Sequence, residues 1–545
     1  MTRHHQRDEF TMNQNVNVLL LYPRFQAGSF WNYQETCTLV GAKYPAPPLG
    51  LITVAAMLPD TWTPRLVDRN TTVLRDEDLA WADVVFTGGM LPQQSDTLAI
   101  ISMCRQAGIP VVVGGPDVTS SPDHYTTADF RVIGEAEGIF ARFLEAFERG
   151  ERSGTFEAEK FKADVTTTPV PRFDLLNFSD YVQVNVQFSR GCPFTCEFCD
   201  IIELYGRKPR TKGSAQILAE LQALYDLGYR GHVDFVDDNL IGNKKAVKAF
   251  LPDLIAWQKA QGRPFELSTE ASLNLADDHD LLEMMRQAGF FVVFVGIESP
   301  DPEVLIATRK KQNTRRDIAA SVHKIYEAGI FVIGGFIVGF DEESDRVADE
   351  IANLIEEAAI PVAMTGLLYA LPTTQLTRRL AAQGRLHAEF DVADPDHEQG
   401  DQCTAGLNFE TLRPRERILA DYRKVIARVY APDAYFGRLK RMVSLLDMSG
   451  PNGDVLNARL LSDVKKLGRL VWSITLHKPE HRGHLWRMIA FTLRHNPRAL
   501  NPMLQMVALY VHLGPFSRFV LQRIDAQIAE IEAGRWQQPV LVAAE

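Results

Sequence analysis

From Val16 onward the chain repeats one local pattern: a short, β-branched apolar run ending in Gly, Pro, Asn or Asp, then a stretch with helical periodicity. The first such runs are VNVLLLYPR from Val16, WTPRLVDRN from Trp62, ADVVFTGG from Ala82, IPVVVGGP from Ile109 and DFRVIGEAEG from Asp129. PPLGLITVAAMLP separates the first two, and SDTLAIISMCRQAG the third and fourth. Strands joined through helices by short links lie parallel, with helices on both faces of the sheet. The expected fold class is therefore α/β, opening with a flavodoxin- or Rossmann-like domain over 15–150. Ligands of such sheets sit beyond the carboxyl ends of the strands, where the glycine turns of this chain fall.

The polar stretch from Glu151 to about Thr168 reads as the start of a linker over 151–181. A second βα series follows from Val182: VQVNVQFSR, HVDFVDDN, FELSTEASL, FVVFVGIES, FVIGGFIVGF and VAMTGLLYAL, separated by helical patterns such as SAQILAELQALYDLG and DDHDLLEMMRQAG. Six such units with right-handed crossovers curl into a partial (β/α)6 barrel over 182–400, and βα barrels keep their chemistry at the carboxyl ends of the strands.

Residues 401–545 are expected to form a mainly α-helical domain. From Ala431 the chain carries 15 Lys and Arg against 9 Asp and Glu, although the whole 545-residue protein has a net charge of −11. A basic, Leu-, Trp- and Phe-rich domain suits packing on the acidic remainder, or peripheral contact with a membrane surface. No DNA-reading motif accompanies the charge, so no nucleic-acid partner is expected. The most apolar stretch, MLQMVALYVHLGPFSRFVL, is interrupted by His512, Gly514, Pro515 and Arg518, short of the roughly 20 apolar residues of a spanning helix. The polar N-terminal tail over 1–14 lacks the apolar core of a signal peptide and is expected to be flexible. The expected location is cytoplasmic, at most peripheral to the inner face of the membrane.

Three of the six cysteines fall within SRGCPFTCEFCD, residues 189–200; Cys37, Cys104 and Cys403 are scattered, which argues against a disulfide framework. Cys192, Cys196 and Cys199 share one loop directly after the first barrel strand. A structural zinc site uses four ligands. Three thiolates suit an iron–sulfur cube with one iron left open.

This triplet, with the aromatic Phe198 before its last cysteine, resembles the hallmark of the radical S-adenosylmethionine (SAM) superfamily. The resemblance implies a [4Fe-4S] cluster on Cys192, Cys196 and Cys199, which are at once metal ligands and catalytic residues. It also implies that SAM chelates the open iron, and that an electron donor such as flavodoxin or ferredoxin drives cleavage to a 5′-deoxyadenosyl radical. Further roles carry over from the same family. Asp237, Asp238 and Asn239 of VDFVDDNL stand where the family has a Gly-Gly-Glu-like stretch against the SAM amino group. Glu270 ends the third strand, where the ribose hydroxyls are held, and Glu298 ends the fourth. IVGFDEES resembles the element beside adenine, giving Gly335, Ile337, Gly339 and Glu342. Tyr205, Arg207, Lys208, Arg210 and Lys212 of IIELYGRKPRTK either face an anionic or polar substrate or form a solvated turn. Tyr369, Pro372 and Gln375 of LLYALPTTQL either touch substrate or close the barrel.

A doubly wound domain ahead of such a barrel resembles the cobalamin-dependent class of the superfamily, and the Pro-Pro-Leu-Gly-Leu element containing Pro48 strengthens the likeness. The cobalt-ligating Asp-x-His-x-x-Gly motif is absent, and His124 in SPDHYTT does not reproduce it. The resemblance thus implies cobalamin held without a histidine ligand. Thr87, Gly88, Gly89, Gly114, Gly115, Gly134 and Glu135 would approach the corrin, though such turns occur in any flavodoxin-like domain. RGCPFTCEFCDIIELYGRKPRTK, together with the helical extension, is most similar to the subgroup that includes the hopanoid C-2 methyltransferases. The implied activity is methylation of an unactivated carbon of a small molecule or lipid, such as C-2 of a hopanoid, with SAM used both as methyl source and as radical source. Two other readings stand beside it: cyclisation or rearrangement with the same cofactors, and a non-enzymatic iron–sulfur and cobalamin sensor.

Overall fold

The computed structural model describes residues 15–25, 28–388, 403–450 and 460–542; the expected N-terminal tail lies outside them. The chain divides into two compact units, one of Met1–Phe25 with Pro48–Leu176 and one of Gln26–Pro47 with Asn177–Glu545.

The first unit is built on a six-stranded sheet of β1 (Val16–Tyr22), β2 (Trp62–Asp68), β3 (Val84–Thr87), β4 (Val111–Val113), β5 (Phe130–Ile133) and β6 (Gly154–Glu157). Its order is β2-β1-β3-β4-β5-β6, with every pair parallel. Val16, Val18 and Leu20 enter one core and Leu19 and Leu21 the other, because helices cover both faces. A strand buried on both sides reads as a continuous apolar run without alternation, which is why the sequence displays β1, β3 and β4 so clearly. β6 falls inside the stretch read as linker. Of its four residues only Phe156 is buried, against Phe130 and Phe143, so no periodic signal marks it.

In the second unit the six barrel strands are β7 (Gln183–Val186), β10 (Gly231–Phe235), β11 (Phe265–Glu270), β12 (Phe290–Glu298), β13 (Phe331–Val338) and β14 (Ala363–Leu367). They pair in parallel and in chain order, with β7 and β14 at the two edges, the open barrel expected from the sequence. Between β7 and β10, the short strands β8 (Ser189–Arg190) and β9 (Arg210–Thr211) pair antiparallel.

Helices dominate after the barrel: Arg415–Val429, Pro432–Leu445, Leu460–His477, Pro479–His495 and Leu500–Glu532. Arg438, fully buried, moors them to the barrel by donating from Nε to the Ile360 carbonyl at 2.8 Å and from Nη1 to Glu356 at 2.5 Å. The apolar stretch interrupted by His512, Gly514, Pro515 and Arg518 lies in one 33-residue helix that runs through the proline. Proline removes one N–H and kinks a helix, yet Met506, Tyr510 and Leu513 are buried among neighbouring helices and hold this one together. The helical segment Pro497–Glu532 is long and apolar enough to cross a membrane by composition, with 61% of its most apolar window buried inside the protein. Residues 26–47, read as part of the front domain, group with these helices: Thr36 Oγ1 donates to the Ala508 carbonyl at 2.9 Å, and Tyr33 meets the His512 ring edge-on.

Candidate active site

The cysteine loop leaves the carboxyl end of β7 and is pinned by acids from the end of β10. Asp237 accepts the Phe188 N–H at 2.8 Å and the Ser189 hydroxyl at 2.5 Å; Asp238 accepts the Gly191 N–H at 2.7 Å. Gly191 lies at φ +94°, and a Cβ there would come within 2.8 Å of the Gly206 carbonyl. Asp237 was expected to face SAM. The structure uses both of its oxygens to fix the loop, and burial pushes its pKa up to about 7 despite those donors.

The basic stretch after the cysteines proves to be a clasp. β9 pairs with β8, the Lys212 N–H donates to the Phe188 carbonyl at 2.8 Å, and buried Lys212 is ion-paired with Glu220. Arg210 Nη2 donates to the Tyr205 carbonyl at 3.0 Å, and Arg207 and Lys208 are exposed. Lys212, for which the sequence leaves open a substrate contact or a solvated turn, is a buried structural residue.

The thiols of Cys192, Cys196 and Cys199 are free. Among the described residues, no three His, Cys, Asp or Glu side chains stand close enough to hold one metal ion. A cube that takes one cysteine per iron spreads its ligands wider than a single ion does. The surroundings fit such a cluster: Asn239 Nδ2 lies 3.8 Å from Cys192 Sγ and Gln312 Nε2 3.7 Å from Cys196 Sγ, one amide donor on each of two sulfurs. Burial pushes the Cys192 and Cys199 thiols up, so iron binding must displace their protons. The loop itself is braced by Glu197, which takes Arg379 at 2.7 Å; Arg379 in turn reaches Asp341 at 3.0 Å. Phe198 packs on Phe340 at 5.7 Å between ring centroids.

β12 bulges between Gly296 and Glu298, and Glu298 takes the left-handed backbone at φ +69°, an unfavourable region for a non-glycine residue. Its carboxylate holds buried Lys310 at 2.6 Å, with Lys310 Nζ 5.9 Å from the Phe198 ring centroid. Burial alone would lower the Lys310 pKa, but Glu298 and the Cys196 and Cys199 thiols raise it, so the ammonium stays charged. Gly296 lies beneath this pair: a Cβ there would collide with Glu298 and come within 2.9 Å of Lys310 Nζ. Lys310, Gln312 and Gly296 were missed in the sequence, where RKKQN reads as an ordinary charged turn.

Glu270 ends β11 with its Oε2 buried and without a hydrogen-bond partner. Burial, then the charges of Asp234, Asp237 and Asp238, push its pKa well up. A desolvated acceptor with no donor suits a bound hydroxyl. Gly335 pairs with Gly296 across β12 and β13 and admits the Phe294 ring, 2.9 Å from where its Cβ would stand; half-buried Ile337 follows it on the same face. Gly339 turns the chain at φ +117°, and its N–H donates to the carboxylate of Glu343, at 2.9 and 3.0 Å. The motif reading pointed to Glu342, which is exposed; Glu343 is the buried residue that closes the turn. Gln375 accepts from Arg309 at 2.5 Å, and Pro372 is half-buried.

Burial drives the Glu343 pKa from 4.5 up to about 8, despite the Gly339 and Phe340 N–H donors and Arg413. The folded state therefore keeps a proton that the unfolded chain releases near 4.5, so the stability from this group is full at low pH and lost as pH rises toward about 8. The melting temperature should fall across that window, and Glu343→Gln, permanently neutral, should flatten the fall. An equal slope in the variant would contradict this. A second expectation concerns Gln312→Leu, which removes a donor to Cys196. It should lower the reduction potential of the reconstituted cluster in an EPR-monitored titration; an unchanged potential would remove Gln312 from this role.

In the first unit the chain reverses direction across the sheet between β1 and β3, the switch point where doubly wound sheets bind ligands. Thr87 ends β3 there with its hydroxyl buried and unpartnered. A Cβ on Gly88 would sit 2.0 Å from the Gly114 carbonyl, and Gly115 (φ +99°) and Gly134 (φ +89°) complete a set of closely packed turns. Gln93, unforeseen, donates to the Pro23 carbonyl at 2.7 Å and accepts the Met90 N–H at 3.1 Å, tying the two switch-point loops together. Pro48 caps the helix Leu49–Ala55, and Glu135 is buried. His124 is exposed in a 3-10 turn. The orphan threonine and glycine-lined turns fit a large cofactor laid against backbone.

Residues 186–355 match the radical SAM superfamily, residues 36–144 the B12 binding domain, and residues 374–526 a domain of unknown function, DUF4070. An uncharacterized methyltransferase of Synechocystis sp. is 42% identical over 96% of both chains. The hopanoid C-2 methylase of Rhodopseudomonas palustris is 35% identical over 91% of this chain and 92% of its own. Among solved structures, the radical SAM methyltransferase TsrM from Kitasatospora setae superposes with a TM-score of 0.57 at 16% identity, covering 77% of this chain and 90% of that one. The cobalamin-dependent SAM radical enzyme OxsB superposes with the same score at 14% identity, covering 96% and 82%.

Proposed function

The chain belongs to the cobalamin-dependent class of the radical SAM superfamily and is a C-methyltransferase of that class; from that premise we propose that its acceptor is a hopanoid lipid, methylated at C-2. The observation that carries this reading is the match to a hopanoid C-2 methylase along nine-tenths of both chains, helical extension included.

Cys192, Cys196 and Cys199 would hold the cluster, and the switch-point loops around Thr87, Gly88 and Gly114 the cobalamin. When bound, these groups and SAM supply hydrogen removal from an unactivated carbon and the methyl that replaces it. The remaining work falls to the chain. Asp237 and Asp238 fix the cysteine loop by its backbone. Asn239 and Gln312 donate to two thiolates, and Lys310 places a positive charge beside them. Glu270 offers a desolvated acceptor for a ribose hydroxyl, and Gly296 leaves room for the Glu298 and Lys310 pair to lie over the strand. Alignment of this kind converts encounter into reaction and keeps water from a reactive intermediate. A flavodoxin or ferredoxin as electron donor and a cytoplasmic location belong to the same reading.

The test is mass spectrometry of lipid extracts from a hopanoid-producing host that lacks A-ring methylation, with and without this gene. The expected result is a new hopanoid heavier by one methylene and methylated at C-2. Unaltered hopanoids from a host shown to make the cluster- and cobalamin-loaded protein would overturn the substrate assignment.

A further inference from the structure

The two helices Leu460–His477 and Pro479–His495 form an antiparallel hairpin joined through Lys478. Their inner faces are filled: Leu470 and Ile474 on the first, and His481, Leu485, Met488 and Thr492 on the second, are buried against their helical neighbours. The outer faces are apolar where a water-facing helix would be polar. Trp472 is 66% exposed, Leu476 54%, Trp486 49% and Leu493 52%. Isolated exposed apolar residues need no explanation, but two tryptophans and two leucines on one hairpin make a patch.

Each stripe is bordered by cations. At 3.6 residues per turn, Arg482, Trp486, Ala490 and Leu493 share about one quarter of the helix circumference, with Arg487 and Arg494 at its edge; all six are exposed. On the first helix, Arg469 starts on the side of Trp472 and Leu476 but lays its guanidinium against Gly41. From Leu467 to Arg498 the chain has six Lys and Arg and one acid, Glu480.

We propose that this hairpin face docks on an anionic lipid bilayer, with Trp472, Leu476, Trp486 and Leu493 entering the headgroup boundary and Arg482, Arg487 and Arg494 meeting lipid phosphates. Charge complementarity selects the occupant. A second copy set face to face would bring guanidinium groups against one another with Glu480 the one carboxylate between Leu467 and Arg498 to offset them. A bilayer supplies both an apolar layer and negative charge at the depths where tryptophan and arginine settle. The inference extends the lipid-acceptor reading without depending on it, because docking is read without SAM and without turnover.

The experiment is flotation of the full-length protein with vesicles of phosphatidylglycerol and phosphatidylethanolamine, and with vesicles of phosphatidylcholine alone. The protein should float with the anionic vesicles, release at high salt, and shift its tryptophan emission to the blue. Trp472→Ser/Trp486→Ser and, independently, Arg482→Glu/Arg487→Glu should each weaken the partition about tenfold, with unchanged circular dichroism. Equal partition of wild type and both variants, or no flotation of the wild type, would overturn the proposal. So would a wild-type dimer that Trp472→Ser/Trp486→Ser turns into a monomer, which would assign the face to a second copy.

Discussion

Changing Cys192, Cys196 or Cys199 singly to Ala should reduce 5′-deoxyadenosine formation from SAM to background, and the triple variant should be no worse than any single one. Groups that act as a unit fail together, so the losses do not add. The loop should nonetheless keep its shape, because its anchors lie elsewhere: Asp237 on Phe188 and Ser189, Asp238 on Gly191, and Glu197 on Arg379. Cluster-free wild type and variants should therefore melt within a few degrees of each other. Anaerobic reconstitution followed by liquid chromatography of the nucleosides checks the first part. A single variant that still forms deoxyadenosine at a substantial rate would break the ligand assignment.

The second large effect is expected at the buried Glu298 and Lys310 pair. Lys310→Met leaves a carboxylate buried without its counterion, on a backbone already held at φ +69°. Breaking such a pair from one side costs about 3–5 kcal/mol, whereas removing both charges together is often nearly neutral. Lys310→Met should thus lower the melting temperature clearly, and Lys310→Met/Glu298→Gln should recover most of the loss. Activity should behave differently. Both variants lose the positive charge beside Cys196 and Cys199, and groups supporting metal ligands typically matter by about 10–100-fold. Stability that returns in the double variant while activity does not would separate the two roles. A Lys310→Met protein as stable and active as wild type would remove the pair from the account.

How much of this could be read in advance depended on the kind of signal. All eleven strands expected in the two sheets are strands in the structure, most visibly those such as β1, β3 and β4 whose burial leaves nearly uninterrupted apolar runs. β6 escaped because only Phe156 is buried in it, and residues 26–47 escaped because their packing partners, His512 and Ala508, lie far along the chain. The cysteine triplet was visible because its ligands are adjacent in sequence. Lys310 and Gln312 were not, since they reach the same loop from more than a hundred residues away. Glu343 shows a third case: the motif reading pointed to the neighbouring acid, and only burial distinguishes the two. The basic stretch after the cysteines left two readings open in sequence; Arg207 and Lys208 are exposed, while Lys212 spends its charge on Glu220. The sensor alternative gives way to the enzyme on the strength of the methyltransferase relatives.

Transfer of a methyl group from SAM to a carbon should consume a second SAM each time. The most direct measurement incubates the reconstituted protein anaerobically with a hopanoid, a reductant and SAM carrying a trideuterated methyl group. S-adenosylhomocysteine, 5′-deoxyadenosine and the lipid are then quantified together by mass spectrometry. The predicted result is a hopanoid that has gained the labelled methyl, with one S-adenosylhomocysteine and one 5′-deoxyadenosine formed per product. Deoxyadenosine formed with neither S-adenosylhomocysteine nor label in the lipid would contradict it, and would point to radical chemistry without methyl transfer.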